Sequence, residues 1–254
     1  MRINMRRSAR NAALLCGVAL MSIVNVVNAA APMADIDARV SYETRQVTAS
    51  GVTRVDTWEE RLVRRGNQVW TERILPPTVH AAHERETVAE HAGHKHFNAE
   101  VSARWLTLAP DGKVEVKFVD HEHKVVVSVP SAEFGTVGFD GRYDGAACVV
   151  PPSVVQGMKP ATKSAMKSAM KSAMELAASA SNTGQWFTDH SQGWSHRVLW
   201  SEQRQLAMRV ESQRDDGSIR RVVTVQLQPV VAGRPAPWSQ LVGYTPKNYD
   251  DFMD

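Results

Sequence analysis

Short runs of alternating side chains, cut at intervals by turn residues, recur along this 254-residue chain and leave it few folds to adopt. Within residues 35–75, Val40, Tyr42 and then Val47 occupy one stretch, and Ala49-Ser50-Gly51 turns the chain. The next run sets Arg54, Asp56 and Trp58 against Val55, Thr57 and Glu59. Arg65-Gly66-Asn67 turns the chain again into a run carrying Val69, Trp70 and Ile74. A side-chain period of two belongs to a β-strand, and turn residues at this spacing close antiparallel hairpins. Pro76-Pro77 ends the series, because proline has no N–H to give a sheet ladder.

The pattern resumes over residues 97–108, with Val101 and Trp105, and breaks at the turn Ala109-Pro110-Asp111-Gly112. Val114, Val116 and Phe118 then alternate with Glu115 and Lys117; residues 120–123 read as a hairpin tip, and 125–129 as its return strand. Residues 131–152 hold Gly135, Gly138, Gly141 and Gly145 beside Phe134, Phe139 and Tyr143, which reads as an irregular segment crossing the core. A second meander spans 186–189, 195–200, 205–213 and 219–228, with Asp215-Asp216-Gly217 as a turn. Residues 229–237 read as extended and 248–253 as a short terminal helix. The expected fold class is therefore mainly β with inserted helices (α+β). The antiparallel meander would form a curved sheet or half-barrel covered by helices.

Two stretches do not follow the strand pattern. Residues 78–96 form a histidine-rich insertion in which His80, His83, His91 and His94 fall within roughly an 80° arc of a helix, with His96 just beyond. Residues 160–180 carry an unbroken Lys-Ser-Ala-Met repeat that stacks Met166, Met170 and Met174 beside Lys163, Lys167 and Lys171. Its composition favours helix, read as an amphipathic surface helix or a repeat-expanded linker; a Cu(I) reading of the thioethers also exists.

The first 29 residues read as an export leader. Arg2, Arg6, Arg7 and Arg10 precede a short apolar run, and Val27-Asn28-Ala29 supplies small residues at the cleavage positions. The run is short for a membrane span. Of 30 basic and 27 acidic residues, the leader holds four arginines and no acid, so 26 and 27 remain in residues 30–254. With no basic stripe left to neutralise phosphates, a nucleic-acid partner is not expected. The expected organisation is leader 1–29 followed by one β-rich periplasmic domain, 30–254, with no transmembrane span after cleavage. Cys148 is the single cysteine past the leader and reads as a small buried apolar residue.

Enzymatic signatures are weak. Ser191 neighbours His190 but no GxSxG is present, and His83-Glu84 is not followed by the second histidine of HExxH. No paired carboxylate spacing points to a glycosidase.

Phe118-Val119-Asp120 followed by Lys124-Val125-Val126 resembles the strand, turn and strand of the periplasmic LolA/RseB-type half-barrel proteins. Leu206-Ala207-Met208-Arg209-Val210, Asp216-Gly217 and Arg221-Val222-Val223-Thr224 resemble their late hairpin. The likeness covers most of the chain in element order; the histidine insertion and the tetrapeptide repeat have no counterpart in it. The resemblance implies a non-enzymatic protein whose apolar sheet face binds an acyl chain, a lipoprotein or a periplasmic protein partner. Trp58, Trp70, Trp105 and Trp200 are the candidate lining of that cavity.

The alternative is a copper or zinc protein, since imidazole is the commonest ligand for these ions. The pairs His80/His83 and His91/His94 lie roughly 16 Å apart on an intact helix, so one ion does not reach both. A complete site would recruit His96, Glu84, or the His121/His123 pair at the hairpin tip.

Overall fold

A computed structural model describes residues 33–75, 99, 101–161, 184–231 and 233–252. The leader, the histidine insertion with His80, His83, His91, His94 and His96, and the three Lys-Ser-Ala-Met units lie outside these residues.

Among the described residues, twelve strands form one mostly antiparallel, unclosed sheet. β1 (Ile36–Val47), β2 (Thr53–Arg65) and β3 (Gln68–Ile74) make the first meander, and β4 (Ala103–Leu108), β5 (Val114–Asp120) and β6 (Val125–Val129) extend it. After β7 (Lys159–Pro160), the second meander is β8 (Gln185–Ser191), β9 (Trp194–Ser201), β10 (Leu206–Arg214) and β11 (Ile219–Gln228). β12 (Thr245–Asn248) closes the set. The order across the sheet is β12-β6-β5-β4-β3-β2-β1-β11-β10-β9-β8-β7. The two meanders thus join where β1 pairs with β11, from Asp37↔Gln228 to Gln46↔Ile219. Open sheets this wide curl under the twist of their strands.

The alternation read in the sequence becomes two buried faces. One carries Ile36, Ala38 and Val40 of β1, Leu62 of β2, Val69 of β3, Leu106 of β4, and Val116 and Phe118 of β5. Residues 131–158 cover this face with a 3₁₀ turn (Ser131–Glu133) and two short helices, α1 (Tyr143–Cys148) and α2 (Pro152–Gly157). Phe139, Tyr143, Ala147, Cys148, Val155 and Met158 bury themselves against it. This is the helical face. Within residues 131–152, which read as irregular glycine-rich chain, the short helix α1 forms; α2 follows, opened by Pro152 at its start.

On the opposite face, Val63, Trp70, Ala103 and Val119 form a smaller cluster with Trp105 and Val126. Trp238, Leu241 and Tyr244 from the C-terminal strap pack on them, so this is the strap face. The strap then adds β12 parallel to β6, from Thr245↔Val125 to Asn248↔Ser128. Of the expected strand over 97–108, β4 forms the part from Ala103; Ala99, Val101 and Ser102 are turn or bend, and residues 97, 98 and 100 lie outside the described residues. The expected terminal helix is one 3₁₀ turn, Tyr249–Phe252, with Met253 outside the described residues. Among the described residues, no helix is long and apolar enough to cross a membrane.

Candidate functional site

Between the helical face and its cover lies a cavity of about 450 Å³. Its apolar wall is Val40, Leu62, Val210 and Val223 from the sheet, with Phe139, Ala146, Val149 and Val150 from the cover. Four strands supply that sheet wall because β1 stands between β2 and β11, so inward residues of both meanders meet there. The cover turns at Val149, which joins α1 to α2 with φ 67° and ψ −38°, a conformation a β-branched side chain rarely adopts.

Four polar side chains of the sheet enter this wall in the inward register: Tyr42, Glu60, Thr71 and Arg104. Tyr42 donates its hydroxyl to Glu60 Oε2 at 3.0 Å. Burial, then the Glu60 charge, push the Tyr42 hydroxyl well above the usual phenol range, so it acts as a donor and not as a phenolate. Arg104 stands opposite Thr71 on β3 and Phe118 on β5, and its guanidinium lies over the Phe139 ring, 5.8 Å from the centroid. Its Nε is buried without a hydrogen-bond partner. Such a cavity, mostly apolar with a few convergent polar groups, is the usual form of a small-molecule site. A wider depression of about 900 Å³ lies beside the β4–β5 hairpin, but exposed Asp111, Lys113 and Glu115 mark it as a solvated surface.

The four candidate tryptophans divide between the faces. Trp58 is opposite Tyr42 and stacks on it, with ring centroids 4.9 Å apart and planes 7° apart. Trp200 is buried in the helical-face core and donates Nε1–H to Glu202 at 2.8 Å. Trp70 and Trp105 lie on the strap face, where Trp105 stacks on Trp238 with centroids 6.3 Å apart. Their indoles donate to Glu72 and Gln68. The cavity wall is formed by other residues, and the structure does not gather the four indoles into one lining.

Of the candidate metal ligands, His121 and His123 are described, both in the β5–β6 turn. His121 Nδ1 lies 2.8 Å from the Tyr244 hydroxyl, and its Nε2 lies 3.4 Å from Glu72. His123 Nδ1 lies 2.8 Å from Asp120. Each imidazole thus has its own partner. Among the described residues, no three His, Cys, Asp or Glu side chains gather as a metal site would require.

Tyr42, Glu60 and Arg104 are the site residues that the tryptophan-based reading passes over. The available signal is a polar residue on an inward step of a strand whose neighbouring inward steps are apolar. Glu60 precedes Leu62 in this way, and Arg104 precedes Leu106 and Leu108.

No family model matches the sequence, and no curated protein matches it. Solved structures similar to the fold include a putative outer membrane lipoprotein-sorting protein domain from Vibrio parahaemolyticus. It is 9% identical, with 81% of this chain and 91% of that one covered and a TM-score of 0.32. A LolA superfamily protein from Nitrosomonas europaea is similar at 8% identity, 79% and 89% coverage and a TM-score of 0.30. PNGF-II is similar over 86% of this chain at 9% identity and a TM-score of 0.34; the chain spans about a third of its length, 32%. The LolA-type resemblance read from the short motifs is thus met among structural neighbours.

Proposed function

We propose that this chain is an exported, non-enzymatic binding protein. It holds an acyl chain, a lipoprotein or a protein partner in the cavity under the helical cover. The observation that carries the reading is the cavity itself: about 450 Å³, walled by valine, leucine and phenylalanine, between a sheet and a cover of two short helices. Apolar surface left facing such a space is stabilised by a ligand that displaces its water. The cover meets the sheet through packed side chains and through Arg64, which donates to Ala147 O of α1, so the cover is the element that would part to admit a chain. Export follows from the leader read at residues 1–29, and residues 30–254 would act as one periplasmic domain.

Trp58 reports on the site through its stacking on Tyr42, which lines the wall. Titration with a fatty acid or a lipopeptide therefore changes tryptophan emission. A folded protein whose emission responds to no amphiphile is not a carrier of this kind.

A further inference from the structure

The orphan donor in the cavity narrows what the ligand is. Arg104 places a guanidinium in a lining that is otherwise mainly apolar, over the Phe139 ring at 5.8 Å from its centroid. Its Nε–H is buried without an acceptor. A buried donor left unmatched is unfavourable, and such groups in folded proteins ordinarily find a partner. Neither carboxylate of the cavity lining, Glu60 or Asp140, accepts from that Nε–H. Glu60 accepts from Tyr42, and exposed Asp140 accepts the backbone N–H of Arg142 at 3.0 Å. The cavity thus has in its lining a guanidinium whose Nε–H is unmatched, beside a mainly apolar wall.

We infer that Arg104 is the polar anchor of this cavity, donating to the carbonyl oxygen of an acyl group whose hydrocarbon chain lies along Val40, Leu62, Val210 and Val223. This rests on the binding function proposed above and adds the class of ligand head. Tyr42 gives its hydroxyl hydrogen to Glu60, and a carboxylate only accepts, so neither offers a donor to the same oxygen. A carboxylate and an ester share the chemistry Arg104 needs, because both offer a carbonyl oxygen lone pair.

The test uses the full exported protein and three ligands of equal chain length: laurate, methyl laurate and dodecane. Each displaces a fluorescent fatty-acid probe. Methyl laurate or laurate should bind about tenfold or more tightly than dodecane, the scale of a hydrogen bond to a charged group. In Arg104→Met, which keeps the stem and removes the donor, that preference should fall to within about twofold. Laurate binding tighter than methyl laurate identifies a free carboxylate as the natural head, and the reverse identifies an ester; each supports the anchor when Arg104→Met removes the advantage. Equal binding of all three to the wild type overturns the anchor while leaving the cavity intact. Binding of none removes the proposed function itself. Retention of the preference in Arg104→Met overturns the anchor alone.

Discussion

Arg64 is a buried cation that ties the cavity's cover to the sheet, and its removal gives a measurable loss of stability. The side chain is 0% exposed at the end of β2. Its Nε–H donates to Ala34 O at 3.0 Å; Nη1 donates to Ala147 O at 2.7 Å and Gln205 O at 3.1 Å; Nη2 donates to Arg204 O. Burial pulls the guanidinium below its ordinary range, yet an arginine stays charged at neutral pH. One fork therefore joins the chain before β1, helix α1 of the cover, and the β9–β10 turn. In Arg64→Met the four carbonyls lose their donor. At roughly 1 kcal/mol each, the low end for a buried group left unsatisfied, the loss is about 4 kcal/mol. Relief from burying a cation offsets part of it, leaving about 3 kcal/mol. For a domain of this size that corresponds to a fall in Tm of roughly 6–12 °C. Guanidinium unfolding followed by far-ultraviolet circular dichroism measures it directly. Arg64→Met within about 1 kcal/mol of the wild type would refute the idea that the four carbonyls depend on this side chain.

Gly184→Ala should be strongly destabilising, by about 3 kcal/mol or more, because the new Cβ would stand 2.6 Å from the backbone oxygen of Trp200 and β8 would have to shift; thermal unfolding checks it. Cys148 is buried and its thiol is pushed up to about 11, so a disulfide reagent at pH 8 should label it only after denaturation; rapid labelling of the native protein would contradict its burial. Glu72 is held below its ordinary 4.5, first by His121 and also by the Trp70 indole. A lowered carboxylate value gives stability that is present above the unfolded value and lost as pH falls through the folded one. Glu72→Gln should therefore shrink the difference in stability between pH 6 and pH 3, read by unfolding midpoints at each pH, while leaving the helical-face cavity unchanged.

The sheet was legible because its signal is local. Alternation in Val114, Val116 and Phe118, and turns at Gly51, Gly66, Gly112 and Gly217, are properties of adjacent residues, and the strands lie where they point. Gly66, at φ 53°, and Gly217, at φ 70°, show why those turns carry glycine. The parallel pairing of β12 with β6 was not legible, because Thr-Pro-Lys-Asn has no strand character and its partner lies more than a hundred residues earlier. The short helices of the cover escaped for a similar reason: α1 holds Gly145 and takes its stability from burying Ala147 and Cys148 on the sheet.

The tryptophans illustrate the harder limit. Alternation says that Trp58 and Trp70 lie in strands, but which face each reaches depends on register. Trp70 pairs with Val63 on the strap face, while Trp58 pairs with Tyr42 on the helical face. Arg104 was visible only as a charged residue in an inward step, and its importance appears once Phe139 is folded over it.

The most direct test of the central claim is to map where an acyl chain sits. A fatty acid carrying a photoreactive diazirine on its chain, irradiated with the protein, should label peptides containing Val40, Leu62, Phe139, Val149, Val210 or Val223. Labelling concentrated on the strap face, around Trp70, Trp105 and Trp238, would contradict the account, as would the absence of saturable labelling.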